Sequence, residues 1–362
     1  MSAAASGQLV LVLNAGSSSL KASLHGHDGQ VLWRDQRRWQ PPQAAGPTSL
    51  SSAINDALAP WLPMGLAPWS QSVALVGHRF VHGGETFTAP TRLGSEVCAA
   101  LAELVPLAPL HNGPALEVVR WLQRWQPQLP QWACFDTAFH ASLPPAARTY
   151  ALPASWRQQG LRRFGFHGLN HQHVSEVVQA QQAGRSGQAP LRLISCHLGA
   201  GCSLCAIQAG SSVATTMGFT PLEGLVMATR SGSIDPGLLL HQLRGGVSLA
   251  CLERVLQSES GLLGLSGLSA DMGELRQAAA SGHSGAQLAI DVFRHQLLQG
   301  IGAMAASLGG VDVIALSGGI GEHDRALEAE LRQALRWLQP FALLVIPADE
   351  EGVIARSCLA AA

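Results

Sequence analysis

The apolar run Leu9-Val10-Leu11-Val12-Leu13 is long enough for a strand, short for a helix, and reads as a buried strand. Asn14-Ala15-Gly16-Ser17-Ser18 then forms a turn. Ser19-Leu20-Lys21-Ala22-Ser23-Leu24 alternates polar and apolar residues with the two-residue period of a second strand. The pattern predicts a hairpin with small residues at its tip. Residues 40–48 read as a loop. A strand over Val73 to Val76 ends at Gly77-His78-Arg79-Phe80-Val81-His82-Gly83-Gly84-Glu85, and Ser95 is expected to cap a helix over 96–104. Proline-rich stretches at 125–131 and 142–154 flank Cys134-Phe135-Asp136-Thr137. A domain boundary is expected within 143–155. It divides 1–148 from 149–362, with the last segment able to return to the N-terminal domain.

Beyond that boundary, strands are expected at Leu191 to Cys196 and Leu204 to Ile207, joined by Gly199-Ala200-Gly201-Cys202-Ser203. Residues 285–308 place Leu288, Val292, Leu297, Ile301 and Met304 at helical spacing and read as a long buried helix. A strand from Val311 to Leu316 leads into Ser317-Gly318-Gly319-Ile320-Gly321-Glu322, and a helix is expected over 325–338. At an offset of 185, Ala15-Gly16-Ser17-Ser18 falls on Ala200-Gly201-Cys202-Ser203, each between apolar strands. One hairpin design early in each half suggests a duplicated domain with a cleft between the copies.

Composition narrows the function class. At 362 residues the chain has room for two domains of roughly 150 residues each. Lys+Arg is 23 and Asp+Glu is 24, a net charge of −1, so nothing recommends nucleic-acid binding. Charged residues make up 13% against an average of about 25%, which implies a sparsely charged surface. No apolar run approaches the roughly 20 residues of a membrane helix. The start Met1-Ser2-Ala3-Ala4-Ala5-Ser6 lacks secretory-signal character, so a cytoplasmic location is expected. Seven cysteines in so long a chain do not read as a disulfide scaffold.

Lys21 is the only lysine, and it follows a Gly/Ser loop. Glycine lets backbone N–H groups converge on an anion, and three such turns follow strands, at 14–18, 199–203 and 317–321. Together they favour a polyphosphate site. The chain has no G-x-x-x-x-G-K-[ST]. Gly199-Ala200-Gly201 precedes a strand rather than the helix of a dinucleotide-binding loop. The cations Arg79, Arg230 and His167 are expected in glycine-flanked loops as anion clamps, because guanidinium suits two-point recognition of carboxylate or phosphate. Cys202-x-x-Cys205 reads as buried thiols rather than a metal pair. His167, His171 and His173 form a weak zinc candidate at best.

The chain resembles the acetate/propionate/butyrate kinase family over nearly its whole length. The resemblance rests on Leu13-Asn14-Ala15-Gly16-Ser17-Ser18-Ser19-Leu20-Lys21, Gly77-His78-Arg79-Phe80-Val81-His82-Gly83-Gly84 and Phe135-Asp136-Thr137-Ala138-Phe139-His140. It continues in Phe164-Gly165-Phe166-His167-Gly168, Met217-Gly218-Phe219-Thr220-Pro221-Leu222-Glu223-Gly224, Thr229-Arg230-Ser231-Gly232 and Ser317-Gly318-Gly319-Ile320-Gly321-Glu322. It implies an α/β fold of two duplicated actin-like ATPase (ribonuclease H-like, βββαβαβα) domains with a cleft between them. It also implies Mg²⁺-dependent, reversible phosphoryl transfer from ATP to acetate, giving ADP and acetyl phosphate, with Mn²⁺ able to replace Mg²⁺.

By the same resemblance, Arg79 holds the carboxylate or the transferring phosphoryl group, His167 and Arg230 stabilise the transition state, and Asp136 is the catalytic acidic residue. Asn14 and Glu350 match positions near the metal. Val81, Leu110, Phe166 and Pro221 match the pocket for the acetate methyl. Ser17, Ser19 and Lys21 line the phosphate path. The nucleotide segments are His197-Leu198-Gly199-Ala200-Gly201, Asp271-Met272-Gly273 and Gly319-Ile320-Gly321-Glu322-His323. Within them Ala200 stands where the family usually has Asn, Gly273 where it has Arg, and His323 where it has Asn. Gly113 replaces a usual Pro near the acetate end. The alternatives are a propionate-type acyl kinase, a pyrophosphate donor, or a nucleotide-binding protein without turnover. The resemblance and the sparsely charged surface together suggest a homodimer.

Overall fold

The structure is a computed structural model that describes residues 9–16, 19–39, 47–182 and 189–362. The chain divides into two compact units. Unit 1 is Met1–Ala138 with Asp349–Ala362, and unit 2 is Phe139–Ala348. The break comes at Ala138/Phe139, ahead of residue 149, and the C-terminal helix belongs to unit 1.

Unit 1 is built on β1 (Leu9–Ala15), β2 (Ser19–His25), β3 (Val31–Arg38), β4 (Val73–Phe80), β5 (Thr91–Arg92) and β6 (Gln131–Phe135), in the order β3-β2-β1-β4-β6-β5. The expected hairpin is present: β1 pairs antiparallel with β2 from Val10↔His25 to Ala15↔Leu20. Every residue of β1 is buried, because the sheet is covered on both faces. Leu9, Leu11 and Leu13 join the core with Leu116, Val119 and Leu122 of the helix Pro109–Trp125. The other face meets the C-terminal helix Glu350–Ala361. There a side chain at Gly77 would come within 2.5 Å of Ile354 and 2.9 Å of Cys358.

Three expectations in this unit need correcting. The strand after Val73 does not stop at Gly77. Parallel pairing with β6 carries it through Arg79↔Cys134 to Phe80↔Phe135, so Arg79 stands on a strand and not in a loop. Gly94 occupies the N-cap of the helix Ser95–Glu103, and no side chain caps it. The loop at 40–48 lies mostly outside the described residues, and a helix, Pro47–Leu58, begins within it.

Unit 2 contains β7 (Arg192–Leu198), β8 (Cys202–Gln208), β9 (Ser211–Thr215), β10 (Val313–Ser317) and β11 (Ala342–Val345), in the order β11-β10-β7-β8-β9. Read from its other edge, this is the order β3-β2-β1-β4-β6 of unit 1. In both, two antiparallel pairings lead to two parallel ones. The duplication is therefore one of topology. The turns differ: Ala15↔Leu20 brackets Gly16–Ser19, whereas Leu198↔Cys202 brackets only Gly199–Gly201.

Helix Gly168–Gln181 packs Val174 and Val178 onto Leu193, Ile207 and Val313. The long helix is present as Ser284–Leu308 and buries Ile290, Phe293, Leu297, Ile301 and Met304. Leu288 is exposed, because the buried stripe runs through Ile290 and Phe293 instead. The third glycine-rich segment is not a turn. Gly318–His323 is a short helix entered at Gly318, φ +79°, where a side chain would meet the Leu198 carbonyl oxygen at 2.8 Å. The helix expected over 325–338 is Arg325–Ala334 followed by one tighter turn, Arg336–Leu338. All seven cysteines are free thiols. Among the described residues no helix is long and apolar enough to cross a membrane.

Candidate active site

In unit 1, parallel strands β1, β4 and β6 deliver Asn14, Arg79 and Asp136 at or just beyond their carboxyl ends, where ligands gather in α/β sheets. Arg79 donates Nε to Asp136 Oδ1 at 3.0 Å and Nη2 to Asp136 Oδ2 at 2.8 Å. Its Nη1 pairs with Glu350 Oε2 at 2.8 Å. Two carboxylates thus share one guanidinium. The Asp136 side chain is 1% exposed, and its backbone N–H donates to the Phe80 carbonyl at 2.9 Å. Burial lifts the Asp136 carboxyl to about 6, against the charge and hydrogen bonds of Arg79. Burial also works against the Arg79 charge, but the facing carboxylates override it and hold the guanidinium firmly protonated. At neutral pH both partners are charged.

The loop after β4 is pinned by residues that the motif reading did not single out. Asn112 Oδ1 accepts from His82 N at 3.1 Å, and Asn112 Nδ2 donates to the His82 carbonyl at 2.8 Å. Gly83 N donates to Thr137 Oγ1 at 3.0 Å. Val81 is half-buried on this loop. Leu110 lies on the helix that carries Asn112 and is 48% exposed. Lys21 faces Asn14 across the hairpin with its side chain exposed, and Ser19 is half-buried opposite Arg38. Ser17 lies outside the described residues.

In unit 2, His167 precedes helix Gly168–Gln181 with φ +55°, a left-handed conformation rare outside glycine. Its Nδ1 is 2.9 Å from Ser203 Oγ, and its ring lies 4.3 Å from that of His197. A side chain at Gly201 would come within 2.7 Å of Arg230 Nη2 and 3.0 Å of His167 Nε2, so both side chains close over that glycine. Arg230 Nη1 donates to the Pro221 carbonyl at 2.6 Å. Phe166 is buried, and its carbonyl accepts from His140 Nε2 at 3.0 Å. Burial lowers His140 to about 4.

The segment bearing Pro221 is held from behind by the sole tyrosine. Tyr150 Oη donates to Glu223 Oε2 at 2.5 Å and accepts from Phe219 N at 2.9 Å. Arg163 reaches Glu223 Oε1 at 2.6 Å and the Met217 carbonyl at 2.8 Å. Tyr150, Arg163 and Glu223 were not singled out from the sequence. The uniqueness of Tyr150 and the place of Glu223 within the Met217–Gly224 motif were the signals that could have flagged them.

Of the nucleotide segments, Leu198 is buried at the end of β7, while Ala200 is exposed in the turn. Gly319, Ile320, Gly321, Glu322 and His323 share the short helix after β10. Glu322 Oε1 accepts from Gly318 N and Ala348 N, each at 2.9 Å, so its carboxylate holds backbone together. Asp271 caps helix Met272–Ala280 by accepting from Glu274 N at 2.9 Å, and Met272 is buried beneath it. Gly273 is exposed with only Asp271 near its missing side chain. Arg276 on that helix pairs with Asp324 at 3.0 Å and Glu330 at 2.7 Å, tying the 271–273 segment to the end of the 319–323 segment.

Asn14, Asp136 and Glu350 offer oxygen donors, the set that hard divalent cations prefer. Among the described residues, no group of three or more His, Cys, Asp or Glu could cage a metal. Mg²⁺ needs no such cage, since it keeps waters and binds through one or two carboxylates together with substrate phosphates. His171 sits between two serines and His173 Nε2 donates to the Pro347 carbonyl, so these histidines do not converge as ligands. Cys202 and Cys205 are buried thiols pushed up to about 12 by burial.

A family model described as the Acetokinase family matches residues 9–355. The acetate kinase of Synechococcus sp. is 43% identical, with 96% of this chain and 98% of that protein covered. The acetate kinase of Acaryochloris marina is 41% identical, with 96% and 98% covered. The crystal structure of Porphyromonas gingivalis acetate kinase superposes with a TM-score of 0.84 at 31% identity, covering 98% and 99% of the two chains. A propionate kinase from Francisella tularensis gives 0.84 at 31% identity, covering 97% and 98%. With its duplicated sheets in the same order and its motifs within the matched span, this chain is a kinase of the actin-like ATPase fold and belongs to the acetokinase family.

Proposed function

We propose that this protein is an acetate kinase, which transfers the terminal phosphoryl group of ATP directly to acetate and releases acetyl phosphate and ADP. The observation that carries the reading is Arg79, clamped by Asp136 and Glu350. A carboxylate acceptor is already ionised at neutral pH, so the reaction needs no strong base. It needs alignment and neutralisation of the charge on the equatorial oxygens. Arg79 offers both. Three of its five N–H groups hold carboxylates, which fixes the fork and leaves two for carboxylate or phosphoryl oxygens of the substrates.

In this reading unit 1 carries the acyl/phosphate loop and unit 2 most of the nucleotide contacts. His167 and Arg230 donate to the transferring phosphoryl group. The turn Gly199–Gly201, with Asp271-Met272-Gly273 and Gly319 to His323, serves the nucleotide, while Ser17, Ser19 and Lys21 serve its phosphates. Asn14 and Glu350 would hold Mg²⁺, or Mn²⁺ in its place. When bound, the ion supplies Lewis-acid neutralisation of phosphate charge. Val81, Leu110, Phe166 and Pro221 receive the methyl group. Such a contact discriminates by about 1–3 kcal/mol per methylene, so propionate is expected as the poorer substrate. The likeness to a propionate kinase keeps that acid as the second reading.

The cytoplasm is the proposed location, and a homodimer the proposed assembly. The helices Pro236–Arg244 and Leu249–Ser258 support the dimer, because they leave Leu238, Leu240, Leu243 and Leu249 exposed. Hydroxylamine trapping tests the function, with acetate, propionate or butyrate against ATP, GTP or pyrophosphate in the presence of Mg²⁺. Acetyl hydroxamate from acetate and ATP is the expected product. Product only from another acid or donor moves the assignment within the family, and no product from any pair rejects it.

A further inference from the structure

A chain of hydrogen-bond contacts runs from His167 into the interior of unit 2. Ser203 Oγ is 2.9 Å from His167 Nδ1 and 2.8 Å from His171 Nε2, and His171 Nδ1 is 2.8 Å from Ser195 Oγ. Ser203, His171 and Ser195 are fully buried. They come from β8, from helix Gly168–Gln181 and from β7, so three elements converge behind one side chain. His167 stands at the N-cap of that helix, in the left-handed conformation that lets its ring turn toward Ser203. A non-glycine residue is strained there, and its surroundings must offset the cost.

Proton counting restricts what this chain can do. Burial keeps His171 well below the ordinary histidine range, so its ring carries one N–H and one lone pair. The Ser203 hydroxyl has one proton for two histidine partners. Two orderings satisfy every contact. In one, His171 Nε2–H donates to Ser203 and the Ser203 hydroxyl donates to His167 Nδ1. His167 then carries its own proton on Nε2. In the other, His167 Nδ1–H donates to Ser203, Ser203 donates to His171 Nε2, and His171 Nδ1–H donates to Ser195. The second ordering is the one an imidazolium at His167 must adopt.

We propose that Ser203, backed by His171 and Ser195, is a positioning residue that sets which nitrogen of His167 carries the proton and holds the Nε2 edge toward the phosphoryl group. This rests on the reading that His167 acts on that group. The charged and titratable neighbours are Arg230 across Gly201, His197 against the His167 ring, and His140 with its ring 5.7 Å from that of His171. None of these replaces the Ser203 hydroxyl at Nδ1.

The test is Ser203→Ala, with kcat, both KM values and NMR of protein carrying ¹⁵N-labelled histidine, the His167 signals being assigned by their loss in His167→Ala. Loss of one such hydrogen bond should lower kcat roughly tenfold. Both KM values should stay within about twofold, since the bond does not touch a ground-state substrate. The His167 ring should change tautomer balance and apparent pKa, and Ser203→Thr, which keeps a hydroxyl, should restore them. Ser195→Ala, one step further away, should move the same signals in the same direction by less. Unchanged His167 signals in either folded Ala variant overturn the proposal, whatever the activity. If His167→Ala keeps full kcat, the role assigned to His167 fails instead, and the ring signals still decide the positioning.

Discussion

The two units share one strand order and hold their key side chains by opposite means. In unit 1, Arg79 is fixed by charge, between Asp136 and Glu350. In unit 2, His167 is held through the neutral Ser203 and His171, and Arg230 through the Pro221 carbonyl. The difference suits what each half binds in the proposed function. Two carboxylates around one guanidinium leave a net negative charge, which a divalent cation can balance. Holding groups that are neutral leave the positive charge of Arg230 undiminished for a polyphosphate. The shared strand order does not itself aim these side chains: Arg79 stands on β4, whereas His167 precedes a helix and Arg230 lies in a loop, and each is set by its own neighbours.

Breaking the charged side should cost most. Arg79→Ala removes the cation from two carboxylates and is expected to lower kcat by about 10³-fold or more, as loss of a transition-state donor does. Stripping the partner from buried Asp136 should also destabilise the fold by about 3 kcal/mol, measured by urea unfolding. Unchanged stability would mean that Asp136 does not depend on the pair.

The neutral side breaks differently. A methyl group at Gly201 would first meet the ends of the Arg230 and His167 side chains, so Gly201→Ala should cut kcat by roughly 10–100-fold through misplaced donors. Its melting temperature should stay close to wild type. A large loss of stability with normal activity would place the strain in the backbone instead. Behind the same cation, Tyr150→Phe removes the hydroxyl between Glu223 and Phe219 N and should cost about 1–2 kcal/mol, with a raised KM for acetate as Pro221 loosens.

Acid should separate the units. Burial lowers His78 in unit 1 and His140 in unit 2 to about 4 from 6.5. The unfolded chain therefore binds more protons than the fold between those values, and this stability, full above pH 6.5, is lost as pH falls toward 4. Asp136 has the opposite sign. It is raised from 3.8 to about 6, so its contribution is full below 3.8 and lost as pH rises through 6. In unit 1 Asp136 offsets part of the effect of His78 and of His25, itself lowered by burial, whereas in unit 2 His140 is reinforced by His171, also lowered by burial. Hydrogen exchange between pH 6.5 and 4.5 should show unit 2 losing protection first, and equal loss in both units would refute the asymmetry. The smallest effect is expected from Gly273→Arg, which restores a usual family residue at an open position and should lower the KM for ATP about threefold without changing kcat.

Much of this molecule is written locally. The apolar run at Leu9–Leu13, the alternation that follows it and the second hairpin at offset 185 announce two copies of one sheet. Motif spacing singles out Arg79, Asp136, His167 and Arg230 without reference to any fold, because their flanking residues in the chain travel with them. What stayed hidden depends on partners far apart in sequence. Arg79 looks like a loop residue until β6 pairs alongside it and extends the strand. Glu350 reaches Arg79 only because the C-terminal helix returns to unit 1. The Asp271 carboxylate caps the helix that follows it, a role the motif reading did not give it. Leu288 has the right spacing and the wrong face. Ser203 and His171 carry no sequence signal as a pair, since the hydrogen bond joining them exists only once β8 and the helix after His167 have packed together. Local pattern determined the strands and the reactive residue types. Tertiary packing alone decided which polar groups lose water together, and hence which of them must pair.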